Sequence, residues 1–207
     1  MALARLMTEA HHGAVFQRRV RVLADVLSSV LAEVTEGAPT GRLLDIGCGD
    51  GSVAREVQAR APRLACEGVD VLLRAETVIP VQHYDGLTLP YPDGAFDWAM
   101  LIDVLHHADQ PEAVLQEARR VARRGVLIKD HFRDGFAAES TLRLMDWVGN
   151  RGHGVALPYT YWSEREWAAI FARLNMTILA ERRDFRLYPA PFSSLFDRGL
   201  HFVALLA

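Results

Sequence analysis

The chain has 207 residues, 50% of them apolar and 24% charged, with a formal net charge of −3. Those values suit one globular domain with a well-buried core. They lack the basic footprint of a nucleic-acid binder, and no apolar run reaches the roughly 18 residues that a membrane span needs.

The segment from Met1 to His12 shows no signal-peptide pattern, so a cytoplasmic protein is expected. Cys48 and Cys66 lack CxxC spacing, which argues against a disulfide framework or a zinc site, and no metal is expected. Of 23 basic residues only Lys129 is a lysine. A preference for arginine codons accounts for that ratio, yet it leaves Lys129 conspicuous. Arg119, Arg120, Arg123 and Arg124 read as a solvated helix face.

Taken in order, Val15 to Val34 reads as an amphipathic helix, with Phe16, Val20, Leu23, Leu27, Val30 and Val34 at spacings of three and four. Turn residues Gly37 to Gly41 close it. Arg42 to Ile46 is a short strand entering Gly47-Cys48-Gly49-Asp50-Gly51, and Ser52 to Arg60 is a helix. Leu64 to Asp70 is a second strand, Ala75 to Ile79 a short helix, Val81 to Tyr84 a third strand and Phe96 to Ile102 a fourth. Asp109 to Ala122 is a helix with Pro111 in its first turn, and Val126 to Ile128 a fifth strand.

Asp130 to Trp162 is largely irregular, with one helix at Glu139 to Val148. Ser163 caps another helix through Leu174, and Glu166 completes a capping box. Met176 to Glu181 and His201 to Leu206 are the last strands, with no helical pattern between them. Strands alternating with helices predict an α/β, Rossmann-like, seven-stranded sheet. It is mostly parallel, with one antiparallel strand and helices on both faces. One domain, 1–207, is expected, with an N-terminal helical lid at 1–37 and an acceptor-recognition insertion at 131–162.

The strongest motif is Leu43-Leu44-Asp45-Ile46-Gly47-Cys48-Gly49-Asp50-Gly51. A strand feeding a glycine turn and then a helix holds nucleotide-like ligands at a sheet's carboxyl edge. The spacing is GxGxG, not GxGxxG. Asp45, two places before the first glycine, suits a ligand bearing an amino group and a sulfonium better than a pyrophosphate. Asp70, ending the second strand, can accept from both ribose hydroxyls.

With these residues the chain resembles class I S-adenosylmethionine (SAM)-dependent methyltransferases. The likeness is to the small type-11 group that includes ubiquinone- and menaquinone-biosynthesis enzymes. The stretches Asp85-Gly86-Leu87-Thr88-Leu89-Pro90-Tyr91-Pro92-Asp93 and Ala95 to His107 are similar to that family's segments, as is the helix from Pro111 to Val121. Where the family has a Pro-Gly-Gly turn, this chain has Arg123-Arg124-Gly125, at the edge away from the ligand.

The resemblance implies roles by position. Asp45, Gly47, Gly49 and Gly51 would surround the methionine part of SAM, and Asp70 would hold the ribose. Val71, Asp85 and Gly86 would flank the adenine, and Ile102, Asp103 and His107 would lie near the methionine and sulfonium. The reaction implied is in-line methyl transfer from SAM, yielding S-adenosylhomocysteine; the apolar, aromatic character of residues 147–162 leans towards a small organic or lipid-like acceptor.

A base helps only if the acceptor must lose a proton. His131, His107 and Asp130 are the candidates, with His131 leading and Asp130 orienting it or the acceptor. Adjacent His106 and His107 are expected to diverge, unlike the HxxxH spacing of a metal pair. Residues 147–162, dense in aromatics with Gly and Pro, are expected to be non-helical. Trp147, Asn150, His153, Tyr159 and Tyr161 would line the acceptor pocket.

A nicotinamide dehydrogenase would want GxGxxG. A non-catalytic SAM-binding module or an RNA or protein methyltransferase are the other readings. Oligomeric state stays open.

Overall fold

The computed structural model describes residues 2–150, 159–190 and 192–207, with side chains at residue 13 and from residue 15 onward apart from 148–150. Seven strands form one sheet: β1 (Gly41–Ile46), β2 (Leu64–Asp70), β3 (Val81–His83), β4 (Phe96–Ile102), β5 (Ala122–His131), β6 (Ile178–Arg182) and β7 (His201–Leu206). Their order is β3-β2-β1-β4-β5-β7-β6. The pairs β1–β2, β1–β4, β2–β3 and β4–β5 are parallel. β7 runs antiparallel to both β5 and β6. This is the expected Rossmann-like sheet, with β7 its one reversed strand.

Alternation along each strand sends side chains to opposite faces. Leu43, Trp98, Met100, Leu127, Val203 and Leu205 pack on one side with helices α1 (Ala2–Val34) and α2 (Ser52–Arg60). Leu44, Ile46, Ala99, Leu101, Ile128 and Phe202 pack on the other with α3 (Pro111–Val121) and α5 (Glu164–Arg173). Both faces are covered, so the strands read as apolar runs. In α1, Val20, Leu23, Leu27, Val30 and Leu31 are buried. Phe16, expected on that stripe, is 43% exposed. No described helix is long and apolar enough to cross a membrane.

Four segments depart from expectation. No helix forms at Ala75 to Ile79. Thr77, Val78 and Ile79 are β-branched and Pro80 disfavours helix at Ile79. The Val78 N–H instead donates to the Asp50 carbonyl at 2.9 Å, and Ile79 is buried. Helix α4 (Ala138–Asn150) runs past Val148, so Trp147 and Asn150 are helical rather than irregular. One turn of helix, α6 (Ser193–Phe196), interrupts the β6–β7 connection. Strand β5 begins at Ala122, directly after α3 ends at Val121, and extends to His131.

The capping box forms as expected. The Ser163 hydroxyl accepts from the Glu166 N–H at 3.3 Å, and Glu166 accepts from the Ser163 N–H at 2.7 Å. Ser163→Ala is therefore expected to cost about 1 kcal/mol, read as a lower urea midpoint with an unchanged slope.

Candidate active site

The parallel strands all end on one edge. There the turn after β1 is tied down by backbone bonds from Gly47 and Cys48 to the Val69 carbonyl, at 2.8 and 3.2 Å. The Gly49 N–H donates to Asp70 Oδ2 at 2.7 Å, and the Leu72 N–H to Asp70 Oδ1 at 2.8 Å. Gly49 has φ +60°, and a Cβ built there would meet nothing within 4 Å, so the turn opens onto free space. Gly51, at φ +82°, starts α2.

Asp45 is buried at 2% exposure. Burial, then the nearby Asp70 and Asp50 carboxylates, push its carboxyl up to about 8. Among the described residues, no cationic side chain pairs with Asp45, Asp50 or Asp70. At the next position along the edge, Val71 is 54% exposed, and a Cβ on Gly86 would lie 3.1 Å from it. Asp85 is exposed and accepts from the Leu87 and Thr88 N–H groups at 2.8 and 2.6 Å.

A second cluster sits where β4 and β5 end. Asp103 follows β4 with φ +57°, and its carboxylate is held by Lys129 of β5 and Arg19 of α1. Burial opposes its charge, but these two cations hold it well below the usual carboxylate range. Lys129 is 1% exposed, and burial lowers its ammonium despite Asp103. Its Nζ also lies 3.4 Å from His131 Nε2. Burial and the Lys129 charge lower His131, which keeps its ring neutral.

The hub of the cluster is His106, buried in a 3-10 turn at Leu105–His107. Its Nδ1 donates to Asp130 Oδ1 at 2.7 Å, and its Nε2 lies 3.5 Å from Asp146 Oδ2 of α4. Burial disfavours its charge, but Asp130 and Asp146 outweigh that and carry it up to about 10. Asp130 also accepts from the His131 N–H at 2.8 Å. The Tyr161 hydroxyl donates to Asp146, and its ring stacks on His106 at 5.5 Å. His201, opening β7, closes the group at 4.9 Å from His131.

A methyltransferase-domain family matches residues 16–181. The chain belongs to that family. An ajmaline N-methyltransferase from Rauvolfia serpentina is 32% identical over 117 residues, covering 49% of this chain and 40% of that protein. A ubiquinone/menaquinone biosynthesis C-methyltransferase from Cupriavidus taiwanensis is 28% identical over 145 residues, covering 61% of this chain and 60% of that protein. The chain thus spans under two thirds of these relatives. A solved SAM-dependent methyltransferase from Thermotoga maritima shares the fold, with TM-score 0.61, 19% identity and coverage of 98% and 96%.

The solved relative that shares the fold is SAM-dependent, and the glycine edge here fits such a cofactor. An open glycine turn beside three carboxylates without a cationic partner suits a ligand carrying positive charge. Exposed Val71 beside Gly86 suits an aromatic ring.

The structure brings the glycine turn, Asp45, Asp70, Val71 and Gly86 to one edge, with Ile102 at the end of β4 beside them. Asp103 is engaged by its two cations. His107 groups with His106 rather than the glycine turn, the ring centroids being 4.0 Å apart, so the two histidines converge instead of diverging. Of the acceptor candidates, Tyr161 joins the cluster, Tyr159 lies 6.4 Å from it, and Trp147 is 50% exposed on α4. The Asn150 side chain and all of His153 lie outside the described residues. Sequence reasoning missed Arg19, Asp146 and His201, and named His106 without giving it a role. Only Lys129, the single lysine, carried a signal.

Because Asp45 titrates at about 8 folded against 3.8 ordinarily, unfolding at neutral pH releases its proton. Its carboxyl therefore costs stability progressively as pH rises from 3.8 toward 8. Asp45→Asn is expected to raise the melting temperature of the ligand-free methyltransferase at pH 7 by several degrees. The gain should shrink toward pH 4, as measured by thermal unfolding across pH.

Proposed function

We propose that the chain transfers the methyl group of SAM to a small organic or lipid-like acceptor by in-line displacement. The observation that carries this reading is the open glycine turn with Asp45, Asp50 and Asp70 around it and, among the described residues, no cationic side chain paired with them. Bound there, SAM supplies a methyl group activated on a sulfonium.

In this reading Asp45, with the backbone at Gly47, Gly49 and Gly51, binds the charged methionine end, and Ile102 packs beside it. Asp70 holds the ribose with the lone pairs left after bracing Gly49 and Leu72. Val71, Gly86 and Asp85 flank the adenine. Asp103 acts indirectly, by fixing Lys129 and Arg19. The core position of residues 20–31 confines any lid movement of α1 to its earlier part.

The acceptor enters over the ends of β4 and β5, between α4, Tyr159 and Tyr161. A lipid-like acceptor is supported by the apolar side chains left exposed on and near α4 and α6: Phe136 is 92% exposed, and Leu144, Trp147 and Leu195 are about half exposed. His131 is neutral and can take a proton from the acceptor, with Asp130 orienting it. Burying both groups pre-orients them and keeps water out.

Titration calorimetry should show micromolar binding of SAM and S-adenosylhomocysteine and none of NAD. Asp70→Ala should abolish the signal, since it removes the ribose acceptor and the Gly49 brace together. A folded protein that binds neither ligand would overturn the assignment. His131→Ala is expected to leave SAM affinity within about twofold and lower turnover by 100-fold or more. Unchanged turnover on an identified acceptor would remove His131 as the base.

A further inference from the structure

His106, His107 and Asp146 present one ring nitrogen each and a carboxylate oxygen, all within 4.8 Å of one another. His107 Nδ1 is buried and lacks a hydrogen-bond partner among the described residues, and buried His106 Nε2 has only the Asp146 carboxylate, 3.5 Å away. A buried polar atom left unsatisfied costs about 1–3 kcal/mol, and such orphans call for an occupant. The other nitrogen of His106 is anchored on Asp130 at 2.7 Å, and Asp146 accepts from Tyr161. A histidine whose far N–H is fixed by a carboxylate is the arrangement that orients metal ligands.

We propose that His106, His107 and Asp146 form a binding site for a divalent transition-metal ion, beside Tyr161. Two imidazoles and one carboxylate suit zinc, cobalt or nickel. Three protein ligands leave a coordination position for water or for an oxygen or nitrogen of a bound molecule. The neighbouring trio Asp103, His106 and His131 also clusters. There the Lys129 ammonium already sits on Asp103 and 3.4 Å from His131, so a fixed cation fills the place of an ion. Metal binding at His106, His107 and Asp146 does not depend on methyl transfer and is read without it.

The test is titration of the full, chelator-stripped chain with Co²⁺, following the visible d–d bands, and with Zn²⁺ by calorimetry. One equivalent is expected, with the band intensity of a four-coordinate site. His107→Asn, at a partly exposed position, and Asp146→Asn should each weaken binding by about 100-fold, while Asp130→Asn, one shell out, should weaken it by about 10-fold. Circular dichroism confirms that each variant is folded. No Co²⁺ uptake by the folded wild type would overturn the proposal and leave His106 as an imidazolium held between two carboxylates. Uptake unchanged in both His107→Asn and Asp146→Asn would place the ion elsewhere and overturn it equally.

Discussion

An ammonium buried inside a β-sheet needs a carboxylate, and Lys129 sets that requirement for the whole carboxyl edge. Stripped of water, an unpaired ion costs several kcal/mol even after relaxation. Asp103 meets the need from the end of β4, in a left-handed conformation that costs an aspartate about 1 kcal/mol. Arg19 meets the same carboxylate from α1. One electrostatic contact thus locks together the two strands and the helix that frame the methyltransferase site. Removing one partner strands the others in low dielectric, so the contact behaves as an all-or-none unit.

From Lys129 the polar chain continues through His131, Asp130 and His106 to Asp146 and Tyr161. From His131 to Asp146 its members alternate basic and acidic, while the Lys129 charge at its head disfavours a second charge on His131. Without a metal ion, the chain holds His106 charged and His131 neutral within one cluster. The cofactor edge is built the opposite way. There, carboxylates crowd without cations, and the pocket's stability is given up to hold positive charge.

The two halves differ in how far they can be read from sequence. The glycine edge is local: Asp45 to Gly51 and Asp70 sit on adjacent strands, and their spacing is dictated by one strand-turn-helix unit. The strands are legible because apolar runs are punctuated by glycine and proline. The acceptor half draws Arg19 from α1, His106 from a 3-10 turn, Lys129 to His131 from β5, Asp146 from α4, Tyr161 from the following loop and His201 from β7. No spacing encodes a cluster assembled from six places. The helical reading failed at Ala75 to Ile79, where a backbone bond at Val78 and the burial of Ile79 decide the backbone. The irregular reading failed likewise at Trp147, where α4 runs on through Asn150.

Strand β7 comes last of the seven in the chain, yet it lies between β5 and β6. As a nascent chain emerges from the ribosome, β5 must wait with one side unpaired, and β6 has no partner within the sheet at all. Both are exposed edges, open to pairing with other chains. Inserting β7 buries all six of its residues and closes both gaps in one step. His201 is the first of them, so the same step that joins β5 to β6 completes the histidine cluster. Vectorial synthesis thus yields no assembled site before all seven strands have joined one sheet.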